Sequence, residues 1–205
     1  MRYGLSPDAL VSQSEVVATR IERDNTGWVQ LSGLQPNATC YYAIESGSVR
    51  RPAAELQGSF RTLPNREQFR NPEHNPKGLF NFKFEFACGN SQHADLALTT
   101  YRTMRERLPG RIHFAILNGD WIYEEERGLP VETWLRQAGL SPDDAPPIVK
   151  IAPTVVGVWE NYKLYLERGG PLARWHREVP SFFTFDDHEI LGDISGTGSG
   201  WTPEN

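Results

Sequence analysis

Two periodicities divide the chain. In roughly the first 60 residues, runs rich in β-branched and aromatic residues predict four strands, at Glu15–Glu22, Trp28–Leu31, Cys40–Glu45 and Leu56–Thr62. Turn clusters at Asp24-Asn25-Thr26-Gly27, Gln35-Pro36-Asn37 and Gly47-Ser48 separate them. The next stretch, Leu63 to Gly78, is polar, carries Pro64, Pro72 and Pro76, and has no period, which predicts a linker. From Leu79 the pattern becomes strand, helix, strand. Phe80, Phe82, Phe84, Phe86 and Cys88 alternate along one strand face. Ala97, Tyr101, Met104 and Leu108 then form a helical stripe that stops at Pro109-Gly110. The near-continuous apolar run from Ile112 to Leu117 predicts a strand covered on both faces. Such a βαβ unit requires a parallel sheet with a right-handed crossover.

Beyond it, the Pro- and Asp-rich segment from Gly128 to Pro153 reads as an insertion above the sheet edge, with a short helix around Glu132–Ala138. Val155, Val158, Trp159, Tyr162 and Leu166 make a second helical stripe, ended by Gly169-Gly170-Pro171, and Ser181 to Phe185 is a third strand. The tail from Gly192 to Asn205 has no core face. In the first region, Leu34-x-Pro36 followed by Tyr41 and Tyr42 resembles the corner of immunoglobulin-like sandwiches, where a tyrosine bonds back to upstream backbone. Only four strands are visible where such a sandwich needs about seven, so its first strands are expected to lie outside this sequence. The expected fold is mixed: an incomplete immunoglobulin/fibronectin-like all-β sandwich over 1–64, a linker over 65–78, and an α/β domain over 79–205.

Length, 205 residues, allows one large or two small domains. The formal net charge of −5 lacks the basic footprint of non-specific nucleic-acid binders, so no nucleic-acid partner is expected. It is compatible with phosphate chemistry, because a bound cation reverses the local field. No apolar stretch approaches the roughly 20 residues of a membrane span, and the N-terminus has no signal core. The two cysteines, Cys40 and Cys88, lie in different regions and are treated as unconnected.

The candidate chemistry sits where strands end. Gly119-Asp120-Trp121-Ile122-Tyr123-Glu124 follows the second α/β strand, Phe185-Asp186-Asp187-His188-Glu189 follows the third, and Cys88 ends the first. In open α/β sheets that carboxyl edge binds ligands. Asp120 alone reads sooner as a helix cap; together with Tyr123, Glu124 and the second motif it reads as a metal ligand. A tyrosinate ligand at Tyr123 needs a strong Lewis acid such as ferric iron, against the plain alternative of a packed ring. Cys88 is either a small buried hydrophobe or a thiolate ligand. Asp187 is assigned as a ligand, His188 as the group that contacts a phosphoryl oxygen or protonates the leaving group, and Asp186 and Glu189 as residues that orient their neighbours. His74, His93, His113 and His176 carry no assignment. There is no Gly-rich phosphate loop, CxxC or GxSxG.

These motifs in this order, with Gly58-Ser59-Phe60-Arg61-Thr62-Leu63-Pro64 and Phe86-Ala87-Cys88 before them, resemble the alkaline phosphatase D (PhoD-like) family over nearly the whole chain. The resemblance implies a calcineurin-type metallophosphoesterase core behind the sandwich and hydrolysis of small phosphomonoesters or diesters by an iron and calcium cluster. It also implies Cys88, Asp120 and Tyr123 as metal ligands, with Asp187 and His188 on a segment that supplies further site residues, and an extracytoplasmic home. The sequence departs from the family at Gly192, where an asparagine is common, and the family's later Asp and His ligands would fall beyond Asn205. The chain is therefore expected to hold half of a metal site, with the parent protein rather than this piece as the enzyme. The rival expectations are a non-catalytic binding or scaffold fragment, and a metal-dependent nuclease on the same core.

Overall fold

A computed structural model describes residues 1–47, 53–68, 73, 77, 82–89, 99–121, 123, 128–167 and 170–189. The expected positions Phe80, His74, His93, Ala97, Glu124 and Gly192 to Asn205, and most of the linker, lie outside them.

The N-terminal region is a four-stranded antiparallel sheet in the order β2-β1-β3-β4, formed by β1 (Arg2–Gly4), β2 (Ser12–Gln13), β3 (Thr39–Ala43) and β4 (Gln57–Arg61). The expected strands over Cys40–Glu45 and Leu56–Thr62 correspond to β3 and β4. Those over Glu15–Glu22 and Trp28–Leu31 do not form. Ile21–Arg23 is a 3₁₀ turn, and Val16 and Trp28 are 90% and 74% exposed. A β-branched run fits a pleated surface but becomes a strand only beside a hydrogen-bonding neighbour. The place beside β3 is taken by β1, with Tyr3 opposite Tyr42.

The tyrosine corner is also corrected. The Tyr42 hydroxyl donates to the Arg177 carbonyl at 3.2 Å, in a helix of the second region, not to upstream backbone. Among the described residues the sheet thus rests on a helix rather than on a second sheet. Contact is close enough that a Cβ on Gly58 would overlap both the Arg177 carbonyl and the Tyr42 ring, so only glycine fits there.

The second region is a parallel three-stranded sheet, order β5-β6-β7, of β5 (Phe84–Ala87), β6 (Phe114–Asn118) and β7 (Ser181–Thr184). The helices are α1 (Thr99–Arg107), α2 (Val131–Ala138), α3 (Pro147–Ile151), α4 (Val155–Leu166) and α5 (Pro171–Glu178). The main core joins Tyr101 of α1, Ala115 and Leu117 of β6, Trp121, Tyr165 of α4, and Leu172 and Trp175 of α5, with Ala87 packed against it. Helices bring the large aromatic rings, so the strands contribute small side chains to that face.

Two readings of the strands change accordingly. Phe84 and Phe86 face outward, 47% and 59% exposed, while Glu85 and Ala87 face the helices. In β6, Ala115 and Leu117 are fully buried but Phe114 and Ile116 only partly, so the strand is fully covered on one face, not two. Phe114 stacks on Phe84 and meets Phe182 edge-on across the outer face.

The segment read as an insertion is a packed layer. Trp134 and Leu135 of α2, Ala145, Val149 of α3 and Val156 of α4 form a second core, against which Ile21 packs. Because α4 stands between two cores, its most buried residues are Val156, Gly157, Asn161 and Tyr165, while Val155, Trp159 and Tyr162 of the expected Val155-Val158-Trp159-Tyr162-Leu166 stripe are half-buried against those cores. Helix α5 was not expected from the sequence. It starts with Pro171, whose missing N–H costs nothing in a first turn. None of the described helices is long and apolar enough to cross a membrane.

Candidate metal centre

At the carboxyl edge of the parallel sheet, the ends of all three strands meet. After β6 the chain turns through Gly119 and Asp120, both in the left-handed region at φ 76° and 52°. A Cβ on Gly119 would lie 2.5 Å from the Asp186 Cβ, so the loop after β6 lies directly against the loop after β7. Glycine is required at the first position, and aspartate is among the few side chains that tolerate the second. The Gly89 N–H donates to the Gly119 carbonyl at 3.2 Å, bringing in the end of β5. The Thr184 hydroxyl donates to Asn118 Oδ1 at 3.2 Å, joining β7 to β6.

This closeness gathers three of the expected residues. One ligand atom each from Asp120, Asp187 and His188 lie within 4.8 Å of one another, all on partly buried side chains. Asp120 Oδ1 is buried and has no hydrogen-bond partner among the described residues. Burial pushes the Asp120 carboxyl up from its ordinary range; Asp187, Asp186 and Glu189 push the same way, against the pull of His188. Two carboxylates and an imidazole converging on one point, with one oxygen left without a donor, form a donor set that fits a metal ion.

Tyr123 lies beside this group: its ring faces that of His188 at a centroid distance of 4.1 Å, tilted by 32°. Its carbonyl accepts a hydrogen bond from the Asn161 side-chain amide of α4. Cys88 is exposed just past β5 and does not enter the group of three. Asp186 is exposed, and its Oδ1 accepts the Asp187 N–H at 3.0 Å. Glu189 is only 8% exposed and reaches both loops. Its Oε2 accepts the N–H of Asp120 at 3.1 Å and of Asp186 at 2.8 Å, and its Oε1 accepts that of Trp121.

Sequence reasoning missed two supporting residues. Asn161 is the amide among the buried residues of α4, but in the sequence it stands beside Glu160 and near Lys163, so no signal set it apart. His176, half-buried on α5, contacts Trp121 and Phe183 edge-on or tilted, with ring centroids 5.6 and 5.5 Å away. Its Nδ1 lies 3.1 Å from Ser181 Oγ, whose own proton goes to the Val179 carbonyl. Nδ1 is therefore the donor of that pair. No sequence signal distinguished this histidine from a surface one.

The model of the PhoD-like phosphatase family matches residues 82–204, which contain every residue of the centre. No curated protein matches the chain. The solved structure of PhoD is similar at 23% identity and a TM-score of 0.47, over 77% of this chain and 26% of that one. The chain thus spans about a quarter of the length of PhoD.

Proposed function

Because the chain belongs to the PhoD-like phosphatase family, we propose that Asp120, Asp187 and His188 belong to a metal centre that hydrolyses small phosphoesters. The observation that carries the reading is the meeting of these three side chains from two strand ends, with Asp120 Oδ1 buried and unpartnered among the described residues. Asp120 and Asp187 bind the metal through their carboxylates. Tyr123 and Cys88, at the same sheet edge, are proposed as further ligands. This mixture of hard and soft donors suits iron, and the carboxylates suit calcium. A bound metal supplies a water with its pKa lowered to about 7 and neutralises phosphate charge.

The chain's own groups do the rest. His188, held ring to ring against Tyr123, contacts a phosphoryl oxygen or protonates the leaving group. Asp120 is kept in place from behind by the backbone bonds of Glu189.

The test uses the protein in its full reading frame, loaded with iron and calcium, against p-nitrophenyl phosphate and bis-p-nitrophenyl phosphate. Hydrolysis of at least one, abolished by EDTA, is the expected result. No hydrolysis of either, or hydrolysis indifferent to EDTA, contradicts the proposal.

A further inference from the structure

A single side chain ties together two loops, bonding amides 69 and 68 residues upstream of it as well as one only 3 residues upstream. We propose that Glu189 is a positioning residue, one that sets Asp120 against Asp187 and His188 by accepting three backbone N–H groups. Its importance for metal binding rests on the reading of the site given above; the clamp itself does not.

The geometry is unusual for a glutamate. Glutamate is almost never deeply buried unless its charge is matched. Here the matching groups are the amides of Asp120 and Trp121 after β6 and of Asp186 after β7. Asp120 holds a left-handed conformation (φ 52°), which a side chain adopts at some cost unless its surroundings fix it. The bonds to the Asp120 and Trp121 amides fix the peptides on either side of that residue. The bond to Asp186 places the next two residues, Asp187 and His188, in front of it.

A carboxylate suits this task because both oxygens only accept. In Glu189→Gln one oxygen becomes an NH₂ group, which must face either the Trp121 N–H or the Asp120 and Asp186 pair, donor against donor. Glu189→Asp keeps the charge but is one methylene short of spanning both loops. Neither replacement touches the atoms that would hold a metal.

Amide hydrogen exchange by NMR on the metal-free chain, with a parallel Mn²⁺ titration, tests the proposal in wild type, Glu189→Gln, Glu189→Asp and Asp120→Asn. In Glu189→Gln the amides of Asp120, Trp121 and Asp186 should exchange at least about tenfold faster while those of β6 stay slow. Mn²⁺ affinity should fall about 10–100-fold, as when other partners behind a ligand are lost. Asp120→Asn should lose Mn²⁺ with the three amides still protected. If Glu189→Gln does not fold, Glu189→Asp gives the same comparison. Unchanged exchange at the three amides, faster exchange throughout the chain in both variants, or unchanged Mn²⁺ affinity would overturn the proposal. A wild type that binds no Mn²⁺ would instead remove the metal reading, and the exchange data alone would then decide the clamp.

Discussion

Replacing Asp120 with asparagine should weaken metal binding by more than about 100-fold, beyond the 10–100-fold typical of losing a partner behind a ligand. Asparagine suits the test because it is nearly isosteric and, like aspartate, tolerates the left-handed backbone found at this position. The backbone amides held by Glu189 are unchanged in the variant. What disappears is one negative charge from a crowded group in which Asp187, Asp186 and Glu189 already disfavour the ionised form. The metal-free variant should therefore unfold at a temperature equal to or above wild type. Loss of affinity with retained or increased stability marks a residue kept for function at a cost to the fold. Isothermal titration with Mn²⁺ and thermal unfolding of the same samples check both halves.

The second large effect is on acid stability. His176 packs half-buried against Trp121, Phe183 and Ser181, and this burial lowers its pKa to about 4. The folded chain keeps this ring neutral, whereas the unfolded chain protonates it near pH 6.5. The folded pKa is the lower one, so its contribution is fully present above pH 6.5 and declines as pH falls, down to about pH 4. At pH 4.5 the loss relative to neutral pH is about 2.5 kcal/mol, from the shift and 1.36 kcal/mol per unit. Carboxyls whose pKa burial raises, such as Glu85, act in the opposite direction. For that reason the measurement is a comparison: urea unfolding of wild type and His176→Phe at pH 7.5 and 4.5. The variant should lose about 2.5 kcal/mol less between the two pH values. Equal losses would show that the ring is protonated in the folded state.

How much of this could be read from sequence differs between elements. Strands β3 to β7 and helices α1, α2 and α4 were predicted because periodicity reports the local chain directly. Which face an element buries depends on its neighbours, and there the readings failed. In β5 the phenylalanines marked the outer side because the helices opposite already supply Tyr101, Tyr165 and Trp175, and Glu85 and Ala87 take the face toward them. In α4 the second core widened the buried face, so Val156 and Asn161 are deepest while the expected Val155, Trp159 and Tyr162 are half-buried. The runs around Val16 and Trp28 had strand composition and, among the described residues, no strand to pair with.

For the site, the two acidic motifs were legible because strand ends in such sheets converge. The structure brings Asp120, Asp187 and His188 together and places Tyr123 against His188. It leaves Cys88 exposed at the neighbouring strand end. The side chain of Glu189 shows why the converging ends hold their alignment. Its three bonds go to backbone amides, which leave no trace in residue identity.

Anomalous diffraction from a crystal of the chain soaked in Mn²⁺ reads the central claim most directly. One peak about 2.0–2.6 Å from oxygens of both Asp120 and Asp187, with the His188 ring beside it, is the predicted result. Density with those three side chains ordered as described and no peak between them, or a peak elsewhere on the chain, would contradict it.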